Sequence, residues 1–145
     1  MNQAISSYQK NQISGMSQKD LIVLLYSGAV NFLKQAQKFL QQEKPAEFSD
    51  SIERVHRIIY HLYTTLDFER GGEIADRLGA LYTFIISQLY IVNSTKNEKI
   101  ISDLLIIISD LKEGWQGLNM DDVKKTKGRG GVMPTGNQTV ISAKV

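Results

Sequence analysis

Leu66-Asp67-Phe68-Glu69-Arg70-Gly71-Gly72-Glu73-Ile74-Ala75, with Leu78 and Leu81-Tyr82 close behind, joins two amphipathic segments through a Gly-Gly hinge. Leu62 and Leu66 before the hinge, and Ala75, Leu78 and Tyr82 after it, keep helical spacing on either side. Two glycines accept the positive φ values that end a helix without steric cost. The stretch predicts a helix stop at the glycines, an immediate restart, and an antiparallel return.

Working outward, four helices with short connections account for the middle of the chain. Ser17, with Asp20 three residues on, is an N-cap signal for a first helix that ends before Pro45. The second runs from about Ala46 to Leu66, and the third from about Gly72 to Asn93. Asn97 caps a fourth that continues through Trp115 to about Leu118. Connections this short favour antiparallel neighbours. The expected fold is therefore all-α, an up-down four-helix bundle over residues 17–118, with a flexible N-terminal arm (1–16) and a disordered, basic, Gly-rich tail (119–145).

Each helix supplies a core stripe at i, i+3, i+4 and i+7 spacing. The stripes are Ile22, Leu25, Ala29, Leu33, Ala36 and Leu40; Phe48, Ile52, Val55, Ile59, Leu62 and Leu66; Ala75, Leu78, Tyr82, Ile85, Leu89 and Val92; and Ile101, Leu104, Ile108, Leu111 and Trp115. Apolar residues remain after that assignment. Leu21, Leu24, Gly28, Phe32 and Phe39 form a second stripe on the first helix, Phe84, Tyr90 and Ile91 lie off the core face of the third, and Leu105 and Ile106 off that of the fourth. Scattered surface apolar groups are ordinary, but a contiguous set marks a partner surface. It fits a mode in which an amphipathic client lays helically spaced anchors into a groove. Leu21, Leu24 and Phe32, with Ile91, Leu105 and Ile106 as wall residues, are the candidate binding residues.

Composition narrows the alternatives. The chain has 145 residues, 42% of them hydrophobic, enough for one core. It has no cysteine, so no disulfide framework and no thiolate site. Met1 to Ser14 lacks the basic start and apolar run of a secretory signal. The most apolar run, Ile100 to Leu111, is interrupted by Ser102, Asp103, Ser109 and Asp110, and reads as a buried helix rather than a membrane span. From Asn119 onward five basic residues stand against two acidic ones, a surplus of three, so the remainder of a chain with net charge +2 is close to neutral. That balance leaves no electrostatic footprint for nucleic acid.

Catalytic patterns are absent from the sequence. Glu53 and His56 form a Glu-x-x-His pair, the spacing found in di-iron bundles, but the only other histidine, His61, has Ile58 at i−3. Arg54 and Arg57 further disfavour a cation there. No Gly-x-Ser-x-Gly elbow occurs, and Gly71-Gly72 lacks the Lys-Ser/Thr of a phosphate loop. No catalytic residue, metal or cofactor is expected. Asp67 and Glu73 are read as capping or charge-balancing the start of the third helix.

The ordered set Tyr8, Ile13, Ser17, Leu21-Ile22, Leu25-Tyr26-Ser27-Gly28-Ala29, Arg54, Leu66-Asp67, Gly71-Gly72-Glu73-Ile74-Ala75, Leu81-Tyr82, Leu89, Asn93 and Trp115 resembles the flagellar export chaperone family FliS. The resemblance implies a non-catalytic cytoplasmic protein that binds the C-terminal segment of flagellin, prevents premature polymerisation, and delivers it to the flagellar type III export gate, with room for a co-chaperone. It also implies that the N-terminal segment, here Tyr8 and Ile13, lies over part of the groove as a displaceable cover. The tail after Asn119 departs from the family pattern, and the resemblance says nothing about it. The residues alone leave a second reading open: a non-catalytic helical adaptor for some other amphipathic helix.

Overall fold

The structure, a computed structural model, describes residues 15–118. The arm positions Tyr8 and Ile13 and the tail from Asn119 lie outside the described residues. Four helices follow in order: α1 (Gln18–Gln41), α2 (Pro45–Thr64), α3 (Phe68–Thr95) and α4 (Glu98–Gln116). α1 packs on α2 and α4, and α3 packs on the same two, so consecutive helices are neighbours and the ring closes between α4 and α1. This is the up-down bundle expected from the short connections.

Local signals set the helix ends. The Ser17 hydroxyl accepts from the Asp20 N–H at 3.1 Å, and the Asn97 side chain accepts from the Lys99 N–H at 2.9 Å. Pro45 occupies the first turn of α2, where its missing N–H costs nothing. At this end of the bundle the chain turns through left-handed residues, Glu43 (φ 58°) between α1 and α2 and Lys96 (φ 59°) between α3 and α4.

The opposite end corrects the hinge expected at the glycines. α2 stops at Thr64, and the reversal is made by Thr65, Leu66 and Asp67, with the Thr65 N–H bonded to His61 O at 3.1 Å and the Leu66 N–H to Tyr63 O at 3.2 Å. The Asp67 carboxylate then accepts from the Arg70 N–H at 3.1 Å and starts α3 before the glycines are reached. Gly72 breaks helical geometry inside α3 (φ 52°, ψ −129°), so Phe68–Gly71 is a single turn set off by a kink. That kink lays the Phe68 ring back over Gly79, where a Cβ would meet it at 3.0 Å, and brings it edge-on to Tyr63 at 6.1 Å. Asp67 is thus the cap. Glu73 instead pairs with Arg77 one turn on.

The core follows the four stripes closely. All of Phe48, Ile52, Val55, Ile59 and Leu62, all six α3 positions, and Ile101, Leu104, Ile108 and Leu111 are buried. Each such side chain contributes roughly 1.5–3 kcal/mol on burial. On α1 the stripe is rotated: Tyr26 and Val30 are buried with Ala29, Leu33 and Ala36, while Ile22, Leu25 and Leu40 pack only partly. Leu66 and Trp115 are likewise half-buried, and Leu118 joins the core. The Tyr26 and Tyr82 hydroxyls, both fully enclosed, bond each other across the bundle and so satisfy a polar requirement that the apolar core cannot. Burial pushes Tyr82 up to about 12, and burial, then the neighbouring Tyr82, pushes Tyr26 well above the ordinary tyrosine value. Among the described residues no helix is long and apolar enough to cross a membrane.

Candidate functional site

The apolar residues left outside the core collect in two grooves. The first lies along α1 and α2 and has a volume of about 520 Å³. Phe32 and Phe39 form its apolar floor, and Glu47, Asp50 and Arg54 of α2 its charged rim. These two phenylalanines are one heptad apart and therefore share a face of α1. Arg54 sits over the Phe32 ring at 5.6 Å and is held there by Asp50 at 2.9 Å. Both charges are exposed, so the pair contributes little to stability but fixes a cation at the groove edge.

Leu21 and Leu24 belong to the same side of α1 as Phe32 but do not line this groove. Leu24 is 44% exposed, and Leu21 is half-buried. Gly28, between them and Phe32, lies under the Ile58 side chain of α2, where a Cβ would stand 3.3 Å from Cδ1. The stripe is a continuous strip along the α1/α2 seam with its outer edge in solvent.

The second groove lies between α3 and α4, with a volume of about 380 Å³. Ile106 and Phe84 form its walls, Ile100, Ile107 and Leu104 its floor, and Gln88 and Asp103 its polar positions. Ile106 is 57% exposed and Phe84 48%. Ile91, 43% exposed, is two turns beyond Phe84 on the same face of α3 and extends that wall. Leu105 is half-buried against the core and does not line this groove. At roughly 100° from Leu104, on the side away from Asp103 and Ile107, it belongs to the α4 flank that faces α1.

The candidate residues therefore form two sets on opposite sides of the ring, not one patch. Leu21, Leu24 and Phe32 lie on the α1/α2 side, and Ile91 and Ile106 on the α3/α4 side. Sequence reasoning missed Ile100, Ile107 and Arg54 as groove residues. It also missed an aromatic cluster on the α2/α3 face, where His56 stacks with Tyr60 at 6.3 Å and meets Tyr90 at 5.5 Å. The i, i+4 spacing of His56 and Tyr60 along α2 was the available signal. Glu53, the other half of the Glu-x-x-His pair, is held by Arg57 at 3.2 Å. Among the described residues no group of three or more metal-ligating side chains comes together.

The sequence pattern of the family described as flagellar protein FliS matches residues 1–122. The chain belongs to the FliS family. Among FliS relatives, the flagellar secretion chaperone FliS of Campylobacter jejuni is 31% identical over 121 residues, covering 83% of this chain and 94% of its own length. The flagellar secretion chaperone FliSB of Pseudomonas aeruginosa is 31% identical over 120 residues, covering 80% of this chain and 95% of its own length. The FliS of Vibrio cholerae is 28% identical over 119 residues, 79% of this chain and 88% of its own. All three bear the name secretion chaperone. The FliS match takes in the whole bundle and both grooves, and stops just short of the basic run at Lys124.

Proposed function

We propose that this protein is a cytoplasmic export chaperone that binds the C-terminal segment of flagellin, keeps it from polymerising, and presents it to the flagellar type III export apparatus. The observation that carries the proposal is the pair of exposed apolar grooves on opposite sides of a bundle whose family relatives are named flagellar secretion chaperones. A monomeric bundle gains nothing by leaving Phe84, Ile91, Ile106 and Leu24 in water, whereas a client with amphipathic helices buries them. Because the grooves face opposite sides, one client must pass around the bundle to fill both. Its binding energy then comes from apolar burial, opposed by an ordering cost of roughly 2–5 kcal/mol or more. Such a complex is tight enough to prevent self-association and releasable without nucleotide hydrolysis. Before the client arrives, the arm residues Tyr8 and Ile13 serve as a groove cover, and the export gate and any co-chaperone engage the loaded complex.

Titration with a peptide covering the C-terminal segment of the cognate flagellin, followed by calorimetry and circular dichroism together, tests this reading. One-to-one saturable binding with a gain in helicity is expected. Equal affinity for unrelated amphipathic peptides would replace flagellin with a general helix-binding role, and no binding to the folded bundle would overturn the assignment.

A further inference from the structure

A third cavity, of about 240 Å³, lies at the end of the bundle where α1 begins, α2 runs into α3 and α4 finishes. The α2–α3 junction supplies Leu66, Asp67, Gly71 and Ile74 to its lining, with Tyr82 and Trp115 among the other lining residues. The indole Nε1 of Trp115, the single tryptophan of the chain, is shut off from solvent.

The part of this lining that belongs to the first turn of α3 is lightly attached. From Asp67 to Glu73, seven consecutive residues are exposed. The hydrogen bonds that cap the turn are internal to it: the Arg70 N–H donates to the Asp67 carboxylate at 3.1 Å, and the Gly71 N–H to Asp67 O at 2.7 Å. Arg70 pairs with Asp67 at 3.7 Å, again within the turn, and among the described residues no ion pair joins residues 68–71 to another helix. The turn is seated through the Phe68 ring, itself 44% exposed, which lies over Gly79 and edge-on to Tyr63 of α2. Gly71 sits close on Ala75, where a Cβ would stand 2.7 Å away. Gly72 joins this turn to the rest of α3 at φ 52° and ψ −129°, a conformation that costs glycine nothing in steric terms. We propose that Phe68–Gly71 is a flap hinged at Gly72 and latched by the Phe68 ring, and that its opening gives access to the cavity and to Trp115 while the bundle stays folded.

The balance of contacts favours this local opening. Lifting the flap separates one aromatic pair and uncovers the recess at Gly79, whereas the buried stripe from Ala75 to Val92 keeps its place. Segments with few buried apolar contacts open at lower free energy than the core they rest on. Gly79 has a defined part in the closed state, because its missing Cβ leaves the recess that the ring fills. Unlike the two grooves, which stand open, this cavity then has a door, and the door works in the bundle alone whatever the client.

Hydrogen exchange of the Trp115 indole N–H in the full-length protein, followed by NMR, tests the flap. The indole N–H should be less protected than the Leu89 amide in the core of α3, which is released only by global unfolding. Phe68→Ala removes the latch and should speed indole exchange several-fold relative to Leu89. Gly79→Ala is the sharper variant: its methyl group displaces the Phe68 ring, while alanine in a helix interior is favoured over glycine. Indole exchange should again rise several-fold relative to Leu89, without the loss of helix that general destabilisation brings. Equal protection of the Trp115 indole and the Leu89 amide in the native protein would overturn the proposal, since Trp115 is then reached only by unfolding. So would an unchanged ratio in both variants alongside a raised one in Leu118→Ala, since fraying of the α4 end is then the route to Trp115.

Discussion

The α1/α2 and α3/α4 seams are built from the same kind of helix and offer different surfaces. α1 and α2 pack more extensively than any other pair, and α3 and α4 the least of the four adjacent pairs. The tight seam pushes its apolar surplus outward onto a ledge, where five of eight lining residues are polar or charged: Gln35, Glu47, Asp50, Ser51 and Arg54. The loose seam leaves a trough in which five of seven are apolar: Phe84, Ile100, Leu104, Ile106 and Ile107. On the proposed function, a client gains more from the trough, whose Phe84 and Ile106 are exposed, than from the ledge, whose Phe32 and Phe39 are half-buried, and the charged rim of the ledge sets the client's direction.

The most drastic way to break the comparison is to remove the core that both seams share. Tyr26 and Tyr82 have folded-state pKa values above the unfolded value near 10, Tyr82 at about 12. Above pH ~10 the unfolded state has fewer bound protons than the folded one, so stability falls with rising pH. It is fully present below pH ~10, and the Tyr82 contribution is lost as pH approaches 12; Tyr26 acts in the same direction. Alkaline titration followed by far-UV circular dichroism should show cooperative loss of helix in this window, with a shallower decline in Tyr82→Phe.

Next in size is a contrast within the trough. Leu104 is 1% exposed and Ile106 57% exposed, although they are two residues apart in one groove. Leu104→Ala is expected to lower stability by roughly 2–5 kcal/mol and Ile106→Ala by no more than about 0.5 kcal/mol, measured by urea unfolding. Equal losses would make Ile106 a core residue and close the trough.

Affinity sharpens the difference between sides. Phe84→Asp combined with Ile106→Asp should weaken the flagellin peptide by about 100-fold, roughly 2.7 kcal/mol, with helicity unchanged. Leu24→Asp on the ledge side should weaken it by about tenfold. A larger loss from Leu24 than from the pair would reverse the ranking of the seams, and loss of folding in Leu24→Asp would place that residue in the core.

Much of this was legible in the sequence because it is periodic. Phe48, Ile52, Val55, Ile59 and Leu62 repeat at helical spacing, and every one is buried. Tyr26 was missed because the α1 stripe was set on Ile22, Leu25 and Leu40, whereas the buried face is rotated toward Tyr26 and Val30, and the Tyr26 hydroxyl finds its partner in Tyr82, 56 positions away. The hinge was misplaced because Gly-Gly outweighed Asp67, yet a capping carboxylate satisfies orphan N–H groups and starts a helix wherever the chain lets it, leaving Gly72 only a kink. The side on which each apolar residue falls was the hardest part. Leu105 and Ile106 are adjacent and equally apolar, but they point about 100° apart and so serve different seams. Periodicity shows that both leave the core stripe, and only the neighbouring helices show where each one goes.

The smallest effect tests the orienting role of the ledge. Arg54, exposed and held over Phe32 by Asp50, offers a cation beside an apolar floor. Arg54→Ala should lower affinity only a few-fold, since exposed charges contribute up to about 1 kcal/mol. Its distinguishing signature is salt dependence: the native protein should lose affinity between roughly 0.05 and 0.5 M salt more steeply than the variant, by an amount that matches one ion pair with an acidic client residue. Arg54→Lys retains the charge but loses the planar stacking on Phe32, and so should restore the salt slope while leaving affinity short of native. If both variants behave as the native protein does, the charged rim is solvated decoration, and the two seams differ only in how much apolar surface they expose.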